Sequence, residues 1–263
     1  MIKMLSNKAV LTALVGTFVL ASCGTPNPTT SPSSSTNGSN TGSTTTETAS
    51  IAGNVTKDGT APGKNASVVL ILKKADKDED AQIARTQDNG SFSFAKVEKG
   101  NYRVAFTLAS EKERKDKARI FYAPNDGYTS DFYSFVTTRS FDYDGDTKKT
   151  FQIPNYNVGW KSNLMPYDQP FRTDEDIKFS WAAAQGAKSY NVLIQDDNFN
   201  QVYKTAETTD TMWTWKASER KEPLKAGKTY YFLVNVTFDT SSAPADAPVL
   251  TYGGSALSKF MVK

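Results

Sequence analysis

The sequence predicts an all-β protein in which two tandem β-sandwich domains follow a signal peptide and a disordered Ser/Thr-rich tether. Three observations lead to this fold class. Short runs alternate apolar and polar residues, as in Ser91-Phe92-Ser93-Phe94, which is the period of a strand with one buried face. Gly-rich turns separate these runs. The chain has 263 residues, which is the length of one large domain or two of ordinary size.

Composition excludes several kinds of site. The chain has no His and one Cys, so it contains no Ser-His-Asp or Cys-His catalytic group, no His-bearing zinc site and no intrachain disulfide. The 31 basic and 28 acidic side chains are nearly balanced, which does not favour nucleic-acid binding. No pair of carboxylates is recognisably placed across a cleft. We therefore predict a protein that is not an enzyme and that carries no cofactor.

Residues 1–22 are predicted to be a signal peptide. A basic start precedes the apolar run from Ala9 to Leu20, which is short for a membrane span. The next residues, Leu20-Ala21-Ser22-Cys23, resemble the lipobox of bacterial lipoproteins. The resemblance implies cleavage before Cys23, a diacylglyceryl group on its sulfur and an acyl chain, such as palmitate, on its new amino group. The alternative is an incidental thiol inside an ordinary signal peptide.

The lipidated cysteine would attach the chain to a bilayer. Each buried CH₂ contributes about 0.8 kcal/mol, so two or three acyl chains anchor a protein durably. The residue after the cysteine is Gly24 and not Asp, which favours the outer membrane of the cell envelope. Residues 23–50 consist mostly of Ser, Thr, Gly and Pro, and such a segment is predicted to be a disordered linker.

Residues 51–154 are predicted to form the first β-domain. Strand-like runs are separated by turns, and a charged run at 111–117 is predicted to be exposed surface. One set of positions carries a family resemblance: Ile51, Gly53, Val55, Thr86, Gly90, Phe92, Phe94, Val97, Gly100, Tyr102 and Val104. They resemble the carboxypeptidase regulatory-like domain, a transthyretin-like seven-strand sandwich. The resemblance implies a folding or adhesive module that is rarely catalytic.

Residues 155–263 are predicted to form the second β-domain. The runs 177–181 and 189–194 are predicted to be neighbouring strands. Leu224 opens a short turn that ends at Tyr230, as in a tyrosine corner, in which the hydroxyl bonds back to the turn. Together these runs resemble a fibronectin type III domain. The resemblance implies that Trp181, Tyr190, Leu224 and Tyr230 are core residues and not ligand contacts.

Three features are candidates for a specific activity. Asp142, Asp144 and Asp146 place oxygen ligands at alternate positions, which suits Ca²⁺, although a solvated hairpin turn is the favoured interpretation. Trp213 and Trp215 lie on one face of any strand, and with Tyr203 they are the candidate ligand-binding residues for a sugar; a buried core face is the alternative. An aromatic-rich stretch is predicted to fill the core or to form an adhesive patch. It contains Tyr122, Tyr128, Phe132, Tyr133 and Phe135.

These features predict a lipid-anchored cell-envelope protein with a structural or protein-interaction role. Its expected partners are the lipid bilayer, through Cys23, and an envelope protein or glycan. The alternative is a carbohydrate-binding accessory lipoprotein that uses Trp213, Trp215 and Tyr203 to bind glycan or peptidoglycan.

Overall fold

The computed structural model describes residues 50–62, 67–73, 78–107, 133–146 and 148–263. The chain divides into two compact units, Met1–Glu47 and Thr48–Lys263, and every described residue belongs to the second unit. The predicted signal peptide, Cys23, the charged run at 111–117 and nearly all of the tether lie outside the described residues.

The described residues fold into strands joined by turns. The first half contains β1 (Ile51–Thr56), β2 (Ser67–Lys73), β3 (Asp78–Arg85), β4 (Ser91–Phe94), β5 (Gly100–Thr107), β6 (Phe135–Thr138), β7 (Phe141–Tyr143), β8 (Phe151–Gln152) and β9 (Tyr156–Asn157). The second half contains β10 (Gln169–Phe171), β11 (Ile177–Ser180), β12 (Ala187–Gln195), β13 (Gln201–Lys204), β14 (Met212–Trp215), β15 (Thr229–Phe238), β16 (Leu250–Gly254) and β17 (Ser258–Val262). A single 3₁₀ turn, Ala217–Glu219, is the helical element of this part of the chain. No helix within these residues is long and apolar enough to cross a membrane.

The strands form one large sheet and two smaller ones. The large sheet has the order β10-β17-β15-β16-β6-β5-β2-β3, with β12 also paired to β15, β13 to β12 and β7 to β5. A smaller sheet has the order β4-β1-β8, and β9 pairs with the far end of β1. The third sheet consists of β11 and β14. The all-β prediction is confirmed.

Every second side chain of the strands points inward, and these side chains form the core of the first half. Phe92 and Phe94 point inward from β4, and the Phe92 ring packs against Phe106 of β5 at 5.7 Å between ring centroids. Phe106 in turn packs against Tyr156 at 5.2 Å. Ser93, between the two phenylalanines, faces outward, because successive side chains of a strand point to opposite faces. The alternation in the sequence therefore predicted the buried face of β4 correctly.

The second half contains the predicted tyrosine corner. The Tyr230 hydroxyl accepts a hydrogen bond from the backbone N–H of Lys225 at 3.1 Å, inside the turn that begins at Leu224. Trp181, Tyr190, Leu224 and Tyr230 are all buried, with exposed fractions of 3–6%. The prediction that these four residues belong to the core is confirmed.

Strand pairing joins the two predicted halves. Strand β6 pairs with β16 in antiparallel register, from Phe135 opposite Gly254 to Thr138 opposite Leu250. We call this β6–β16 pairing the seam. Tyr252 lies in the seam, where burial raises the pKa of its hydroxyl to about 12, and the charge of Glu207 adds to the shift. The predicted boundary at 154/155 falls between β8 and β9, which both run parallel to β1. The division into two domains stays a prediction.

Candidate functional site

The structure brings Trp213, Trp215 and Tyr203 together in one aromatic cluster; the spacing of the two tryptophans predicted their shared face, and Tyr203 joins them from strand β13. The Tyr203 and Trp213 rings are nearly parallel, with centroids 5.5 Å apart, and the two indoles are 6.1 Å apart. Trp213 also stacks on Phe179 of the neighbouring strand β11 at 5.3 Å. Trp215 is only 2% exposed, whereas Trp213 and Tyr203 are half-buried and pack against the core. The rings therefore contact mainly one another and the core.

Arg220 closes one side of this aromatic cluster. Its guanidinium carbon lies 5.0 Å from the Trp215 ring centroid, which is a cation–π distance. The guanidinium donates hydrogen bonds to the carbonyl oxygens of Thr173, at 2.8 Å, and Glu175. Burial lowers the pKa of Arg220, and the carboxylate of Asp176 acts in the opposite direction. These contacts fix the loop around residues 173–175 against β14, which is a structural role.

The candidate calcium ligands Asp142, Asp144 and Asp146 accept hydrogen bonds that stabilise a turn. The Asp142 carboxylate accepts a hydrogen bond from the Asn101 side chain at 2.7 Å. Asp144 accepts one from the backbone N–H of Asp146 at 2.9 Å, and Asp146 accepts one from Lys148 at 2.9 Å. Nowhere in the described ranges are three or more acidic, His or Cys side chains arranged to hold a metal ion. These bonds match the hairpin-turn interpretation, and calcium binding here stays a prediction without geometric support.

The aromatic-rich stretch is described only at its end. Tyr122, Tyr128 and Phe132 lie outside the described residues. Tyr133 is 4% exposed, and its ring packs against Trp160 at 5.0 Å and Phe238 at 5.7 Å. Desolvation raises the pKa of the Tyr133 hydroxyl well above its ordinary value. Tyr133 therefore fills the core.

A feature that the sequence did not reveal is an open groove in the first half, with a volume of about 920 Å³. We call it the polar groove. Its floor is the outer face of β1, its walls come from β3, β4 and the chain around β8, and it is lined by Ala52, Gly53, Asn54, Ile83, Ala84, Arg85, Gln87, Ser91, Phe92, Ser93, Gln152, Ile153 and Asn155. Among the described residues, the lining contains four carboxamides, two hydroxyls and one cation, and no acidic side chain.

The carboxamide side chains of the polar groove have no hydrogen-bond partner among the described residues. Within the described residues, the side chains of Asn54, Gln87, Gln152 and Asn155 neither donate nor accept a hydrogen bond. Asn54 and Gln152 are about 100 residues apart in the sequence, and parallel pairing of β8 with β1 brings them together. Short-range sequence patterns carry no signal for such pairing, so sequence reasoning missed this site.

One family model matches part of the chain. Residues 49–121 match the model described as "BOS complex subunit NOMO1-like, second beta sandwich domain". The match covers less than half of the chain, and it supports a β-sandwich in the segment that contains β1 to β5. None of the curated proteins matches the sequence.

Comparison with solved structures gives weak similarities to several proteins. A protein from Bacteroides uniformis ATCC 8492, described as a "putative carbohydrate binding protein", has a TM-score of 0.27 at 15% identity over 80% of this chain and 96% of its own. A chain of a cytokine receptor complex has a TM-score of 0.28 at 12% identity over 76% of this chain and 88% of its own. The BSP domain of a biofilm associated protein has a TM-score of 0.21 at 16% identity over 82% of this chain and 28% of its own. Similarities with TM-scores this low do not support any inference about the function of this chain.

Proposed function

We propose that this chain is a lipid-anchored protein of the bacterial cell envelope whose β-sandwich part binds another envelope protein. The observation that carries the proposal is the sequence Leu20-Ala21-Ser22-Cys23 at the end of an apolar run, followed by a Ser/Thr-rich segment and then by an all-β unit. Dual acylation at Cys23 would hold the chain on a bilayer, with the outer membrane favoured by Gly24. No catalytic activity is proposed.

The β-sandwich part supports an interaction role in two ways. The family model that matches residues 49–121 is named for a subunit of a complex. The large sheet also ends in strands β3 and β10, each paired on one side within the described residues, and such edges are common docking elements. We propose in addition that the first half is a carboxypeptidase regulatory-like domain and the second half a fibronectin type III-like domain.

The carbohydrate-binding alternative at the aromatic cluster has less support. Sugar rings stack on exposed aromatic faces, but Trp215 is 2% exposed and Trp213 already stacks on Phe179 and Tyr203. A core role explains this packing better than a sugar platform does. We therefore place the protein-interaction role first.

The test compares the wild-type chain with a Cys23→Ser variant in the native host. Epitope-tagged full-length protein is crosslinked in intact cells, and membrane partition, palmitate labelling and co-purifying proteins are measured. We expect the wild type to label, to partition with membranes and to recover one discrete envelope protein, and the variant to lose all three. A Cys23→Ser protein that still labels and partitions would overturn the anchor. An anchored wild type that recovers glycan and no protein would overturn the protein-interaction role.

A further inference from the structure

We propose that the polar groove of the first half binds a neutral oligosaccharide. This site is separate from the aromatic cluster and goes beyond the proposed function, because it involves neither Cys23 nor a protein partner. The inference comes from the chemistry of the side chains that line the groove and from the strands that place them side by side.

The polar groups of the groove match sugar hydroxyls. A carboxamide presents an acceptor oxygen and a donor nitrogen, and a sugar hydroxyl is also both donor and acceptor. Gln87, Gln152 and Asn155 are exposed and Asn54 is half-buried, so their amide groups are accessible. None of them makes a side-chain hydrogen bond within the described part of the chain, so a ligand would not have to break existing protein contacts.

The strands place polar side chains side by side across the floor of the groove. Ala52 of β1 lies directly between Ser93 of β4 and Gln152 of β8, so the three residues form one row across the sheet. The central residue of the row is small, which lets a ligand approach the sheet closely between two polar side chains. Ile83, whose side chain is 52% exposed, supplies an apolar wall that suits the C–H face of a sugar ring.

The groove fits a charged ligand or an extended peptide less well. Arg85 is the one charged residue among the described lining residues, which do not include the several cations that an anionic polymer requires. On the β4 side of the groove, a peptide would have to pair with the outer edge of β4, where the Ser91 carbonyl already accepts a hydrogen bond from the Gln87 N–H at 2.8 Å. The Gln82 side chain also bridges β3 to the Ala95 carbonyl at 2.8 Å and so occupies part of the space between β3 and β4.

The experiment measures binding of the full-length chain to soluble neutral polysaccharides. Dextran, laminarin, xylan and galactomannan are included in native gels, and retardation of the protein gives its affinity. An alginate gel and an immobilised library of unstructured peptides serve as anionic and peptide probes. The test variant is Gln152→Ala with Asn155→Ala, both exposed positions, and Ser93→Glu is a second, independent variant. Gln201→Ala, an exposed glutamine on β13 outside the groove, is the matched control.

We expect at least one neutral polysaccharide to retard the wild type, and each test variant to bind it about tenfold more weakly. The double variant removes two hydrogen-bonding groups, and the longer side chain of Ser93→Glu fills the space beside Ala52. The control should bind like the wild type, and all variants should keep the wild-type urea midpoint. The proposal is overturned if no neutral polysaccharide retards the chain, or if the variants are retarded as strongly as the wild type. It is also overturned if the variants lose capture of peptides or alginate instead.

Discussion

Gly53 in β1 shows how closely the side chains of the first half pack. A Cβ added at this position would lie 2.6 Å from Cζ of Phe92 and 2.9 Å from Cβ of Ile153. Phe92 and Ile153 are themselves buried, so neither can move freely out of the way. The backbone at Gly53 does not have a positive φ, so the reason for glycine here is space and not conformation.

We predict that Gly53→Ala lowers the free energy of unfolding by about 1–3 kcal/mol, the usual cost of overpacking a core. Urea denaturation followed by tryptophan fluorescence and circular dichroism measures the change. Ser93→Ala, an exposed position on the neighbouring strand, is the matched control and should change stability by less than about 0.5 kcal/mol. If Gly53→Ala is as stable as the wild type, the packing of Phe92 against β1 is wrong.

Strand β14 carries both tryptophans of the aromatic cluster, and substituting them distinguishes a core role from sugar binding. We predict that Trp215→Ala destabilises the protein by about 3–5 kcal/mol, because the side chain is 2% exposed and its removal leaves a cavity. Trp213→Ala should cost less, because that ring is half-buried at the edge of the core. Urea midpoints measure both effects, and Met212→Ala, 54% exposed on the same strand, is the control.

The same variants test carbohydrate binding at the aromatic cluster. If the indoles are core residues, any loss of polysaccharide retention in Trp213→Ala accompanies a loss of stability. A Trp213→Ala protein with wild-type stability and no retention would instead establish Trp213 as a sugar contact. This outcome would place the carbohydrate-binding alternative ahead of the core interpretation.

The positions of the strands were easier to predict from the sequence than the pairing between them. Alternation located β4 and β5 and showed which of their residues are buried, because the period of a strand is local. Pairing of β6 with β16 joins residues more than 100 positions apart and leaves no local pattern. The shared face of Trp213 and Trp215 followed from spacing within one strand, whereas the polar groove required the pairing of β8 with β1. Local signals therefore predicted the core, and distant pairing determined the new candidate site.

At the scale of the whole unit, the seam between β6 and β16 couples the two halves. Val136 and Thr138 of β6 are 1% and 2% exposed, so the seam is buried as well as hydrogen-bonded. Ser134 adds a side-chain hydrogen bond to the Ser255 carbonyl at 2.7 Å. Arg139 adds another, to the Pro244 carbonyl at 2.8 Å. Strands on both sides of the seam belong to one hydrogen-bonded sheet, so opening one half exposes an edge of the other.

We predict that the two halves unfold together, and that Gly253→Ala at the seam weakens both. A Cβ at Gly253 would lie 2.7 Å from Cγ1 of Val136, so the substitution forces β6 and β16 apart. Hydrogen exchange with mass spectrometry measures the free energy of opening for peptides from β5 and from β12. In the wild type the slowest amides of the two strands should open with equal free energies, and in the variant both values should fall by the same amount. Ser242→Ala, in an exposed loop, is the control and should leave both values unchanged. A fall confined to β12 would instead show that the halves are independent domains, because a sheet that unfolds as one unit cannot lose stability on one side only.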